Sequence, residues 1–395
     1  MKALPDDDPR SFTQQANIHC TYCAGAYDQV GFPGLELQIH YSWLFFPFHR
    51  YYLYYFERIL AHLIDDPTFG LPFWNWDSPA GMLIPHMYTD TKSSLYDERR
   101  NSRHYPPTMV DLDYNGIDET TTNEARIQSN LRIMYRQMVS NAKTTSLFLG
   151  GPLRAGDEPY PGPGSIENVP HEPLHVWCGD LRQPNGEDMG AFHSAGRDPM
   201  FYAHHSNVDR MWSIWKMIGN GNRKDYDDQD WLNSSFLFYD ENANLVRVKV
   251  RDCLETRSLG YVYQDVELPW LKAKPTPARR PPLKGTSGIA LAAENNDKNL
   301  VSSNDFPIVL DKIVRVKVER PKKSRSEKEK EDEEEILIIT IELKGDRFVK
   351  FDVYVNEEED SNIGHDNTEF TGSFVNVPHK HKHGKTLKTC LTLVE

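Results

Sequence analysis

The chain has 395 residues, a net charge of −13, 38% hydrophobic and 26% charged residues, which describes a soluble globular protein of two or three domains. No run of about 18 apolar residues occurs, so a membrane-spanning helix is excluded. There is no basic excess to release counterions from a phosphate backbone, so a nucleic-acid partner is excluded as well.

In chain order, residues 1–19 show no basic region leading into an apolar one, so no targeting peptide is expected. They read as the tail of a helix ending at Leu4-Pro5, as though the chain began inside a domain. Residues 5–35 carry Pro5, Pro9, Gly25, Gly31, Pro33 and Gly34 and are expected to be irregular. Residues 40–64 are apolar nearly all round, which predicts a buried helix that Pro47 bends or interrupts. A bend or a late helix start is needed to bring His40 and His49 to one point. LPFWNWDSP, at 71–79, supplies aromatic packing within a looped stretch.

Residues 123–149 predict one amphipathic helix with Leu131, Met134, Met138 and Phe148 on its apolar side. Gly150 to Gly164 must be loop. His171–Val176 and His204–Met217 predict helices, the second starting near Asp198 and Pro199. Residues 230–252 have hairpin character, with strand alternation in VRVKV. Residues 272–306 read as a polar, proline-rich linker. KIVRVKV, EILIITIEL, FVKFDVYV and LKTCLTLVE then predict strands, and KKSRSEKEKEDEEE, at 322–335, a solvated charge run. The plan is a mainly α domain, a linker and a small β domain.

Five cysteines are present, an odd and sparse set in which no disulfide framework can be read. The fifteen histidines carry the chemistry. His19, His40 and His49 stand in the first part. His171 and His175, in HEPLH, are four apart and share a helix face. His204 and His205 are adjacent on another helix, so one of them faces the same point. Neutral imidazole suits copper, zinc, iron or nickel, and two sets of three with no carboxylate fit two coppers that bind O2 between them. HEPLH also matches the zinc-peptidase pattern HExxH, with Glu172 as general base. Pro173 costs about 3 kcal/mol inside such a helix, and that reading leaves the first three histidines without a role. His62, His86 and His104 read as hydrogen-bonded core residues, and His379, His381 and His383 as an exposed stretch. Asp209 either orients a ligand or pairs with Arg210.

Six runs then carry a resemblance across essentially the whole chain: HCTYC (19–23), IHYSWLFFPFHRYYLYYFE (39–57), ENVPHEPLHVWCGD (167–180), DMGAFHSAGRDPMFYAHHSNVDRMW (188–212), DWL (230–232) and KFDVYV (350–355). The sequence resembles the plant polyphenol oxidases, or catechol oxidases, of the tyrosinase-like type 3 copper proteins. The resemblance implies a helix bundle holding a dicopper centre over 1–229, with small β elements and long loops. A DWL region (230–271) completes it, a linker spans 272–306, and a β-sandwich-like domain of the KFDV type (307–395) covers the active site. It implies that His19, His40 and His49 bind one copper and His171, His175 and His205 the other. Cys23 is implied to join His40 through a thioether, Phe192 to gate the second copper, and Glu167 to hold a water. The residue after His171 is implied to take part, with Glu167 and its water, in deprotonating phenols; here it is Glu172, a second acid that either serves as an extra base or repels a phenolate.

The implied activity is oxidation of o-diphenols to o-quinones with reduction of O2 to water, with monophenol hydroxylation as an open addition. The resemblance places such a protein in the chloroplast thylakoid lumen and gives it small phenols and O2 as partners, with a monomer compatible. It also implies truncation at both ends and an unpaired Cys20. The alternatives are an O2 carrier built on the same copper pair, as in hemocyanins, and a copper-free inactive relative.

Overall fold

The computed structural model describes residues 1–278, 300–322, 324–326, 328–329, 333–356, 363–379 and 386–394. They form two compact units, Met1–Ala278 with Ile336–Glu395, and Arg279–Glu335. The first unit is helix-rich with small sheets, as the sequence predicts.

α1, Phe12–Cys23, corrects the expectation of irregular chain over 5–35. Ser11 caps it by accepting from the Gln14 amide at 3.1 Å, and one side buries Ala16, His19, Tyr22 and Cys23. A cap plus one buried side outweighs flanking prolines and glycines. The first four residues form turns rather than a helix end. β1 (Asp28–Gln29) and β2 (Phe32–Glu36) make a short antiparallel pair. α2, Phe45–Leu63, starts beyond His40 and is buried on every side from Phe45 to Leu53. Pro47 falls in its first turn, where a missing amide hydrogen has no partner to lose.

The stretch predicted as one helix over 123–149 is three pieces: α3 (Asn123–Tyr135), a wider turn at Arg136–Ser140, and α4 (Thr145–Leu149). Thr144 breaks the run by capping α4 through the Leu147 amide, the kind of local bond that competes with helix continuation. Phe148 still reaches the core and stacks on Trp215 at 4.5 Å and 2°. α5 (Glu172–Cys178) follows a kinked turn, Glu167–His171, and carries Pro173 in its first turn. α6 (Met200–Ile218) follows Pro199 and packs on α2. α7 (Gln229–Asn233) leads into the predicted hairpin, β3 (Ser235–Tyr239) with β4 (Leu245–Lys249).

In the second unit, β5 (Leu300–Val301) pairs in parallel with β6 (Arg315–Val316), so the strand expected over 312–318 shrinks to two residues. Its charge run is partly ordered by ion pairs from Lys322 to Glu329 and Glu333. Of the predicted linker, 279–299 lie outside the described residues. Thr276, at its start, bridges to Asn367.

The remaining strands belong to the first unit. β7 (Ile336–Leu343) pairs with β10 (Leu387–Val394), and β8 (Val349–Tyr354) with β9 (Phe370–Asn376), both antiparallel. β9 is absent from the predicted strands because all seven of its residues are buried, which removes the alternation that marks a half-exposed strand. It is fastened to the helical part by Asn168, which donates to the Ser373 carbonyl at 2.5 Å and accepts from the Val375 amide at 3.1 Å. Asp113 adds a buried contact to Lys350 (3.3 Å), His365 (2.8 Å) and Ser373 (3.0 Å). His379, expected to be exposed, is 1% exposed beyond the end of β9, while His381 and His383 lie outside the described residues. His62 and His86 are exposed rather than core, and His104 is buried as expected.

Replacing Asn168 with Ala strands one donor and one acceptor of β9. It is expected to cost about 1–3 kcal/mol of stability and to speed proteolysis within 336–394, both read by thermal melting and limited digestion. Unchanged values would contradict the fastening role.

Candidate metal centre

The histidines come from four helices, the turn before one of them and one loop. His19 lies on α1, His49 on α2, His171 and His175 at α5 and the turn before it, and His204 and His205 on α6; His40 sits on the loop between β2 and α2. The fold brings them into two adjoining clusters. In one, single donor atoms of His19, Cys23, His40 and His49 all lie within 4.8 Å of one another; in the other, those of His171, His175, His204 and His205 do. The clusters abut, with the rings of His49 and His205 stacked at 4.3 Å and 20°. All seven imidazoles are at most 2% exposed.

Backbone carbonyls decide which nitrogen faces inward. Nδ1 of His19 donates to Phe192 O (2.8 Å), His49 to Phe45 O (2.8 Å), His171 to Glu167 O (2.9 Å) and His175 to Met189 O (2.9 Å). A ring bonded this way keeps its proton on Nδ1 and presents the Nε2 lone pair. Nε2 of His175 stands 3.1 Å from that of His171 and 3.2 Å from that of His205. The inward nitrogens of His19 and His49, and both of His40, find no hydrogen-bond partner among the described residues. Buried lone pairs converging without donors are costly as they stand and suit a soft cation. The donor set, neutral imidazoles and one sulfur with no carboxylate, fits copper.

Burial also fixes the charge state. It lowers His49 to about 3 and His175 to about 4, and holds His19, His40, His171, His204 and His205 well below the ordinary range, with neighbouring imidazoles opposing a second proton. The rings are therefore ligands rather than cations at neutral pH.

Around the clusters, Glu167 accepts from the Tyr41 amide at 2.5 Å and the Gly164 amide at 3.2 Å, and Glu172 from the Tyr41 hydroxyl at 3.1 Å. One tyrosine thus ties both acids, from a left-handed backbone at φ 59°. Burial pushes both carboxyls well above the usual range, and for Glu172 the nearby Glu167 adds to the effect. Phe192 stacks on His40 of the first cluster at 3.9 Å and 11°, and stands 5.9 Å from His175 of the second. The His379 ring lies 5.3 Å from that of Phe192, tilted by 34°.

Neither sequence-based option for Asp209 holds. It pairs with Arg50 at 2.6 Å, and Arg210 pairs with Asp77 at 3.0 Å. Arg50 follows His49 and Asp209 lies one turn after His205, so the bond joins the two ligand-bearing helices, α2 and α6. Its remaining valences are filled. Arg50 donates to the carbonyls of Cys253 and Leu254 at 3.0 Å and lies over Trp212 at 3.9 Å, while Asp209 accepts from Tyr261 (2.6 Å) and Tyr263 (2.5 Å). Sequence reasoning missed Arg50 because its partner is 159 residues away. An arginine inside an otherwise apolar helix was the available signal. None of the five cysteines is in a disulfide.

Comparison with known proteins agrees with this centre. A family profile described as the common central domain of tyrosinase matches residues 9–218. Profiles for the polyphenol oxidase middle domain and the chloroplastic polyphenol oxidase C-terminal domain match 225–276 and 306–394. A chloroplastic polyphenol oxidase of Malus domestica is 64% identical over 100% of this chain and 67% of its own length. One from Vitis vinifera is 58% identical over 99% and 64% respectively, so the chain spans about two thirds of these relatives. The solved structure of latent apple tyrosinase superposes with a TM-score of 0.92 at 63% identity, covering 100% of this chain and 84% of that one.

Two outcomes follow. Asp209→Ala leaves a buried guanidinium unpaired and should cost about 3–5 kcal/mol in denaturant unfolding, with Asp209→Asn milder; a loss near zero would contradict the clamp. In the metal-free protein, the depressed histidines contribute stability that is complete above their unfolded pKa near 6.5 and is lost as pH falls toward about 4 for His175. His175→Gln should flatten the stability–pH slope over that window, and an unaltered slope would contradict the assignment.

Proposed function

The chain belongs to the tyrosinase-like plant polyphenol oxidases, and from that premise we propose that it oxidises o-diphenols to o-quinones while reducing O2 to water. It is a copper-dependent oxidoreductase acting on phenols. The observation that carries the reading is the convergence of seven buried imidazoles in two adjoining sets, three in one and four in the other.

His19, His40 and His49 would hold one copper, and His171, His175 and His205 the other. His205 is preferred over His204 because its Nε2 closes on that of His175. When bound, the copper pair supplies the two-electron chemistry linking phenol oxidation to O2. The protein's own residues do the rest. Backbone carbonyls orient the rings, Cys23 ties His40 through a thioether, and Phe192, stacked on His40, is the gate over the second copper. Glu167 and Glu172, held by Tyr41, are the groups able to take a phenol proton; a water on Glu167 is part of this reading. A carrier that binds O2 without turnover is not favoured, since the family match spans the whole chain.

β9 and the residues after it supply contacts that close the site, Asn376 to Tyr41 and His379 to Phe192, so the enzyme is proposed to be latent until they move. Substrates are small phenols. No helix among the described residues is long and apolar enough to cross a membrane. Relatives named chloroplastic support that organelle, and the thylakoid lumen is the finer proposal.

The copper-loaded protein, once unlatched, should consume O2 on addition of a catechol; copper-bound protein that never consumes it would overturn the reading. Glu172→Gln should lower monophenol hydroxylation by about tenfold or more while sparing diphenol oxidation, the size expected for loss of a general base. An unchanged ratio of the two rates would remove Glu172 from the proton path.

A further inference from the structure

His40 is held differently from the other proposed ligands of its set. His19 and His49 each give Nδ1 to a carbonyl, but neither nitrogen of His40 has a hydrogen-bond partner among the described residues. It rides on a loop rather than a helix. Its ring is steadied on one face by Phe192. The reactive group beside it is Cys23, the fully buried last residue of α1, whose sulfur lies within 4.8 Å of a His40 nitrogen.

Gln38 joins the two backbones. Its side chain is completely buried. Oε1 accepts from the amides of Ile39 at 2.8 Å and His40 at 3.0 Å. Nε2 donates to the Cys23 carbonyl at 3.2 Å and to the Tyr160 hydroxyl at 3.3 Å. The Cys23 carbonyl belongs to the last turn of α1, which a helix leaves unpaired, and the His40 amide precedes α2. One planar amide, with all four of its hydrogen-bonding positions used, therefore fixes the backbone of Cys23 against that of His40. Tyr160 is fixed in turn by donating to Glu36 at 3.0 Å.

We infer that Gln38 is the positioning residue for a thioether between Cys23 and His40, holding sulfur and ring in reacting register. The inference rests on the proposed role of Cys23. The bond forms between Sγ and a ring carbon of His40. The thiol hydrogen and one ring hydrogen leave with two electrons and reduce O2, the co-substrate of the proposed reaction, to hydrogen peroxide. Such a step depends steeply on placement, since a displacement of about 1 Å can cost on the order of a hundredfold in rate.

The test follows crosslinking by peptide mass after copper is added in air to the metal-free full chain. In the unaltered protein the peptides holding Cys23 and His40 should become joined and weigh two hydrogens less than their sum. Gln38→Met keeps the volume and removes every polar contact. Gln38→Glu keeps the acceptor toward His40 and removes the donor toward Cys23. Both should crosslink at least tenfold more slowly, with copper content and melting temperature recorded beside the mass. A folded variant that crosslinks at the unaltered rate overturns the role of Gln38. Should Gln38→Met fail to fold, Gln38→Glu decides alone. A copper-loaded unaltered chain that keeps a free Cys23 thiol overturns the thioether itself, a result distinct from failure of the positioning.

Discussion

Four backbone carbonyls, those of Phe45, Glu167, Met189 and Phe192, determine what this protein's centre can do. Each takes the Nδ1 proton of one histidine and leaves a bare nitrogen facing inward. Without these bonds a buried imidazole would turn to satisfy itself against the nearest donor. With them, several lone pairs meet without a hydrogen-bond partner among the described residues, at a desolvation cost of about 1–3 kcal/mol for each unpaired polar atom. The fold bears that cost because a metal, once bound, repays it.

Holding those carbonyls in place is the task of the surrounding packing. α2 and α6 carry a ligand each toward the same point and pack on each other. The Arg50–Asp209 pair ties them together. A buried ion pair is poor evidence for net stability, since desolvation offsets most of the attraction. Here it supplies registry, and the tyrosines and carbonyls around it keep both charges fully satisfied. The segment 250–263 thereby becomes part of the metal scaffold although it contributes no histidine. On the opposite side, β9 reaches the acids through Tyr41, whose hydroxyl lies 3.1 Å from both Glu172 and Asn376. Closure of the site and placement of its acids thus share one residue.

Much of this was legible in the sequence, for physical reasons. Histidines four apart on a helix must share a face, so HEPLH announced half a site. α2 was legible because its first half is apolar on every side. The late start that lets His40 and His49 meet was foreseen as one of two options, and Pro47 marks it. What stayed hidden depended on distant partners. α1 disappeared behind its prolines and glycines because its cap and its buried side count only once the core exists. β9 disappeared because burial on both faces erases alternation. Asp209 read either as orienting a ligand or as paired with its neighbour Arg210, although the partner it meets stands 159 residues away. His379 looked exposed beside its lysines, yet it packs against Phe192.

The central claim is that two coppers sit between two sets of three histidines. Anomalous diffraction at the copper absorption edge, on crystals of the copper-loaded chain, tests it directly. The account predicts two peaks. One should lie about 2 Å from nitrogens of His19, His40 and His49, and the other about 2 Å from those of His171, His175 and His205, the usual metal–imidazole distance. A single peak, or a second one bound to His204 in place of His205, would contradict it.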